Sequence, residues 1–122
     1  MPKRDIRMSD AEIADFLSQH TGCVFGYNDG GPAPAALSGT YTLADGVLRV
    51  SAERPGTAAG ALRADPRVYL IVEQSPSYYE IGYVGIEGSA ERIQETDGHL
   101  MFNLTPRAVT SASFAKLAEP AG

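Results

Sequence analysis

The sequence holds one cysteine, Cys23, in 122 residues. That excludes an internal disulfide and any zinc site built from several thiolates. Its neighbours in Gly22-Cys-Val-Phe25 are apolar, so the thiol reads as a small buried hydrophobe. The only histidines are His20 and His99, too few for a histidine-based metal site without carboxylates, and no metal is expected. No apolar run approaches the roughly 20 residues of a membrane-spanning helix. Met1-Pro-Lys-Arg-Asp5 is not followed by the apolar stretch of a leader peptide, so a cytoplasmic protein without a membrane partner is expected. Ten basic residues face fifteen acidic ones, a net charge of −5 with no basic block, which disfavours nucleic acid. The Gly-x-Ser-x-Gly elbow, His-Glu-x-x-His, the Walker loop and Cys-x-x-Cys are all missing. With them go the common hydrolase, metalloprotease and phosphoryl-transfer signatures.

What is present is an ordinary globular composition, 43% apolar, with 13 glycines and 8 prolines. One domain over 1–122 is expected, and so many turn residues point to short strands rather than a helical bundle. Ser9 and Glu12 have capping-box spacing, and Met8 with Ile13 has the spacing of a hydrophobic staple. They predict a helix over about 9–21 that Gly22 terminates, with Ile13, Phe16 and Leu17 on one face.

A β pattern follows: Cys23–Tyr27, the turn Asn28-Asp-Gly-Gly31, Pro34–Thr42, the turn Ala44-Asp-Gly46 and Val47–Ala52 form an antiparallel meander. Ala33, Ala35, Ala36, Ser38, Gly39 and Thr40 give the second strand little bulk. Either a ligand or second subunit lies against it, or it is tightly curved.

The stretch Arg49–Glu73 reads as strand, turn, short helix (56–64) and strand. Arg54 and the backbone N–H groups near Gly56 and Thr57 form either an anion seat or a solvated arginine beside a helix cap. Val68-Tyr-Leu-Ile-Val72 lacks alternation, which predicts a strand buried on both faces, one in the barrel and one under a helix or a partner. Tyr78 and Tyr79 either stack on a planar ligand or cover a core edge. Glycines 82, 85 and 88 in a long strand, 80–94, read as bulges or bends rather than a dinucleotide fingerprint. Thr96-Asp-Gly98 turns the chain into a last strand, 100–109, and a tail over 110–122 is expected to fray beyond Phe114 and Leu117.

Several segments in this order carry a resemblance. They are Ile13-Ala-Asp-Phe-Leu17, Gly22–Gly31 with Pro32, Asp45-Gly-Val-Leu-Arg-Val-Ser51, Leu62-Arg-Ala-Asp-Pro-Arg-Val68 and Val84-Gly-Ile-Glu-Gly-Ser-Ala-Glu-Arg92, with Phe102–Val109 closing. Together the chain resembles the pyridoxamine 5′-phosphate oxidase-like family of flavin-binding split barrels. The resemblance implies a mainly β fold, a six-stranded antiparallel split barrel (22–109) with an N-terminal helix and a short helix between strands 3 and 4. It also implies a homodimer that binds FMN or the deazaflavin F420 between subunits and acts as an oxidoreductase on a small molecule.

Carried onto this chain, the resemblance makes Ser51, Arg54, Gly56 and Thr57 the phosphate corner, with Arg49, Ser38 and Tyr79 as further cofactor-binding candidates. Ala58 stands where FMN-binding members usually have lysine, and Glu95-Thr-Asp-Gly98 replaces a longer connection. These departures imply the alternative, a non-redox protein on the same barrel binding haem or another small molecule. The cofactor would carry the hydride chemistry, so no acid–base pair is expected and no catalytic residue is named.

Overall fold

A computed structural model describes residues 4–118. Its first element is helix α1, Asp10–Ser18, and both halves of the capping box form: the Glu12 amide donates to Ser9 Oγ (3.2 Å) and the Ser9 amide to Glu12 Oε1 (2.9 Å). The helix is shorter than the 9–21 expected. The Gln19 amide closes the last turn on the Asp15 and Phe16 carbonyls, and Gly22 already opens the first strand.

Six strands follow: β1 (Gly22–Tyr27), β2 (Ala35–Ala44), β3 (Val47–Glu53), β4 (Arg67–Gln74), β5 (Gly82–Thr96) and β6 (His99–Ser113). They close as an antiparallel barrel in the order β1-β2-β3-β6-β5-β4. Helix α2, Ala58–Ala64, lies between β3 and β4. Two hairpins turn on Asp45-Gly46 and Asp97-Gly98, all four residues having φ between 52° and 75°. Positive φ at both central residues defines the tight turn whose twist matches that of the strands.

The barrel is filled by Phe25, Val50, Leu70, Val72, Val84, Leu100 and Phe102, and Phe25 meets Phe102 edge to face at 5.3 Å. Leu62 and the methyls of Ala58 and Ala59 bury α2 in the same cluster. Phe16 and Leu17 join it from α1, and the buried Tyr41 hydroxyl donates to the Leu17 carbonyl at 2.6 Å. Cys23 is part of this core as expected, and burial pushes its thiol up to about 11.

One further expectation is met in part and one is corrected. Val68, Leu70 and Val72 of β4 point inward as expected, while on its outer face Arg67 and Tyr69 stand exposed and Ile71 half-buried, so within the described residues that face is only partly covered. The tail does not begin at 110, because β6 continues to Ser113, whose amide donates to the Ile6 carbonyl (2.8 Å) and which pairs with Gly82. A 3₁₀ turn, Phe114–Leu117, then packs Phe114 against Tyr78 (5.4 Å). Residues 119–122 of the expected tail lie outside the described residues. No described helix is long and apolar enough to cross a membrane.

Candidate functional site

Residues on β2 and β3 point alternately into the barrel and out of it. On β3, Leu48, Val50 and Ala52 go inward, which leaves Arg49 and Ser51 on the outer surface. β2 runs beside it with Thr40 opposite Ser51 and comes so close at Gly39 that an added Cβ would strike the Ser51 carbonyl oxygen. The expected smallness of β2 thus has a definite cause at one position: only glycine admits that approach.

The outcome is a shallow cavity of about 440 Å³ that brings Ser38 and Ser51 together with Thr40, Glu53 and His99. Glu53 sits opposite His99 in the β3–β6 ladder. These two were not singled out as site residues, since their meeting depends on pairing across more than forty positions of sequence. His99 itself is exposed, at the first position of β6.

The other candidates are distributed differently. Arg54 follows β3 with φ 51° and its amide donates to the Gly98 carbonyl at 3.1 Å. An arginine in the left-handed region is uncommon, and such residues gather at functional sites. Gly56 has φ 58°, so the helix starts two residues later than expected, with Thr57 as its cap and no side-chain cap bond from Thr57. None of Arg54, Gly56 and Thr57 lines the serine cavity. The Ala58 side chain is fully buried, so the position at which the resemblance expects a lysine faces the core here.

Arg49 lines a separate, smaller depression beside Arg92 and donates to Asn103 Oδ1 at 3.3 Å. Tyr79 is not brought to the cavity. It lies in the 3₁₀ turn Tyr78–Glu80, half exposed, edge to face with Tyr78 at 5.0 Å.

A second, larger cavity of about 650 Å³ opens where β1 leads toward β2. Tyr27, Pro32, Pro34, Val68 and Tyr69 give it a mostly apolar wall, with Arg67 and Glu87 at its polar parts. Arg67 is held by Asp65 through two bonds (2.6 and 2.9 Å), which keep the Asp65 carboxyl well below the usual carboxylate range. Glu87 is paired with Arg107. Among the described residues no three histidine, cysteine or acidic side chains gather as a metal site.

The donor set of the serine cavity is hydroxyl, imidazole and carboxylate. Hydroxyls and a ring N–H suit a phosphate ester, whereas Glu53 opposes one, and no lysine or arginine lines that cavity. The cavity thus offers hydroxyl and ring N–H donors to a phosphate against one carboxylate, and the cation on the same strand is Arg49, two residues before Ser51.

No protein-family model matches the sequence, and no curated protein matches it. Solved structures do. The conserved protein Rv2991 of Mycobacterium tuberculosis has a TM-score of 0.82 at 24% identity, covering 100% of this chain and 95% of that one. An FAD-binding protein of Mesorhizobium loti has a TM-score of 0.69 at 18% identity, covering 86% and 93%. The haem storage protein HutZ of Vibrio cholerae has 0.65 at 12%, covering 82% and 92%. Proteins of Listeria innocua and Corynebacterium glutamicum named for pyridoxamine 5′-phosphate oxidase share the architecture too. The chain has the split-barrel fold of the pyridoxamine 5′-phosphate oxidase-like proteins, as its segment order implied.

Proposed function

We propose that this chain forms a homodimer that binds a flavin or deazaflavin cofactor, FMN or F420, and uses it as an oxidoreductase on a small molecule. The observation that carries this reading is the placing of two unlike cavities along β2. Pro34, just before the strand, borders the apolar cavity, and Ser38 stands in the hydroxyl-lined one. Four residues of extended chain span ~13 Å. A ligand with a planar apolar body and a phosphate tail matches that sequence of environments, and the small side chain of Ala36 leaves the strand surface low between them.

In this reading the Ser38 and Ser51 hydroxyls donate to the phosphate, while Tyr27, Pro34 and Tyr69 exclude water around the planar part. The bound flavin or deazaflavin supplies the hydride chemistry. The outer face of β1, β4 and β6, where Val24, Tyr69 and Val109 are each more than 40% exposed, supports the dimer. A second copy would cover that face and complete the apolar cavity.

The test is a titration of the purified protein with FMN and with F420, followed by cofactor fluorescence and by sedimentation. Saturable quenching that Ser51→Ala weakens, on a dimeric protein, is expected. No quenching up to about 1 mM cofactor, the range of about −4 kcal/mol, would remove the flavin from the account.

A second reading has its own support. The buried Ala58 and the carboxylate of Glu53 suit a protein that does not hold flavin phosphate, and the haem storage protein shares the fold. His99, exposed in the serine cavity, is then the side chain available as an axial ligand. A Soret band on adding haem that His99→Ala abolishes, without any flavin response, selects this non-redox binding function.

A further inference from the structure

Of the ten basic residues, several are neutralised by nearby carboxylates: Arg7 by Asp5, Arg67 by Asp65, Arg107 by Glu87 and Lys116 by Glu12. Arg49, Arg54, Arg63 and Arg92 are not, and of these Arg49 and Arg92 share a site. Neither has a carboxylate within 4 Å among the described residues, although the chain carries five more acidic than basic groups. Both line the same small depression on the outer face of β3, β6 and β5.

A β-bulge puts Arg92 there. Glu91 pairs with Asn103 and Gln94 with Met101, so two residues of β5, Arg92 and Ile93, face only Phe102 of β6. In a regular strand Arg92 would follow Ala90 and Glu91 in alternation and point into the barrel. The extra residue takes φ 53° at Arg92 and reverses the phase. Arg92 becomes exposed and Ile93 packs against the core instead. The Arg63 guanidinium, donating to the Ile93 carbonyl at 3.3 Å, ties α2 to this bulge.

The depression has a volume of about 130 Å³, space for about four water molecules at roughly 30 Å³ each, the scale of a tetrahedral oxyanion. Its remaining polar groups are amides. Asn103 accepts from Arg49 Nε through Oδ1, which leaves its NH2 group to donate, and Gln94 stands beside it. Glu91, the carboxylate opposite Asn103 in the ladder, forms no ion pair with either arginine.

We propose that Arg49 and Arg92, with Asn103 and Gln94, form a binding site for a phosphate-type oxyanion, either free or as the phosphate monoester of a larger molecule. Two guanidinium groups without acidic partners repel one another, and an oxyanion between them turns that repulsion into paired charge-assisted hydrogen bonds. The site does not depend on the flavin reading: it needs only the anion.

The experiment records the arginine Nε–H resonances of the full chain, free of flavin, during titration with inorganic phosphate at constant ionic strength, with chloride as control. Saturable shifts confined to Arg49 and Arg92 are expected, and the affinity should fall about tenfold in Arg49→Gln and in Arg92→Gln, the usual consequence of losing one charge-assisted bond. Arg107→Gln should leave it unchanged. Equal shifts at all arginines, or unchanged phosphate affinity in the double variant, would overturn the site. FMN and riboflavin then separate the sources. If FMN displaces phosphate from these resonances and riboflavin does not, the occupant is the phosphate of a nucleotide. If FMN binds without moving them, the site is confirmed as one for a separate anion.

Discussion

The phenol of Tyr69 lies across the backbone of Gly85, where an added Cβ would meet the tyrosine oxygen, and its hydroxyl reaches Thr110 Oγ1 at 3.3 Å. The glycine removes a side chain from the middle of the outer sheet and the tyrosine covers the place, which makes an aromatic surface flush with the strands.

Replacing Gly85 by alanine should therefore swing Tyr69 outward at small cost to the fold, because the atoms in the way belong to side chains, the end of Tyr69 and the Thr110 hydroxyl, and not to backbone. If that face pairs two copies, the dimer dissociation constant rises roughly tenfold, as for disturbance of one buried aromatic anchor. Thermal stability of the monomer stays within about 1 kcal/mol. Sedimentation equilibrium beside thermal melts reads both quantities.

Gly39→Ala should behave in the opposite way. Here the obstacle is the Ser51 carbonyl, which is backbone and cannot turn aside. Overpacking at such a contact costs about 1–3 kcal/mol, seen as a lower urea midpoint, and it distorts the cavity that Ser51 lines.

The Tyr41 hydroxyl stays protonated across the working range, since burial pushes it up to about 12. It is the donor that holds the C-terminal end of α1 through the Leu17 carbonyl. Tyr41→Phe should destabilise the chain by about 1–2 kcal/mol by leaving that carbonyl short of a buried partner. Hydrogen exchange should quicken in α1 before it does in the barrel.

Acid sensitivity is expected at the junction of α1 with the C-terminal turn. Glu12 is held down to about 2 by the Lys116 ammonium (2.8 Å) and by the Ser9 amide. A depressed carboxylate contributes its stability above its unfolded value near 4.5 and loses it as pH falls toward 2. Wild type should thus melt higher than Glu12→Gln at pH 7, and the two curves should converge as pH is lowered through that window.

Much of the barrel was readable because its signals are local. The capping box of Ser9 and Glu12 and the Asp-Gly turns at 45 and 97 each fix geometry within four residues. Long-range consequences were not readable. The unbroken apolar run of β4 looks like a doubly buried strand, and only the fold shows that Tyr69 and Ile71 face outward together with Val24 from β1. Around the candidate site, Ser38 and Ser51 could be anticipated from segment order. Glu53 and His99 could not, since a β3–β6 ladder brings them together, and Arg92 could not, since a strand pattern assigns it to the interior until the bulge is known. The resemblance assigns a phosphate corner to Ser51, Arg54, Gly56 and Thr57, and the sequence does not reveal that the Arg54 amide donates to Gly98 or that Ala58 faces the core.

The position of Cys23 has a practical consequence. Its thiol is enclosed in the core and resists ionisation up to about 11, and the thiolate is the form that reacts with alkylating labels. A cysteine introduced on the outer sheet would be the one thiol that a spin label or fluorophore finds in the folded chain. Whether two copies pair, and how far apart they sit, can accordingly be measured without first replacing the native residue.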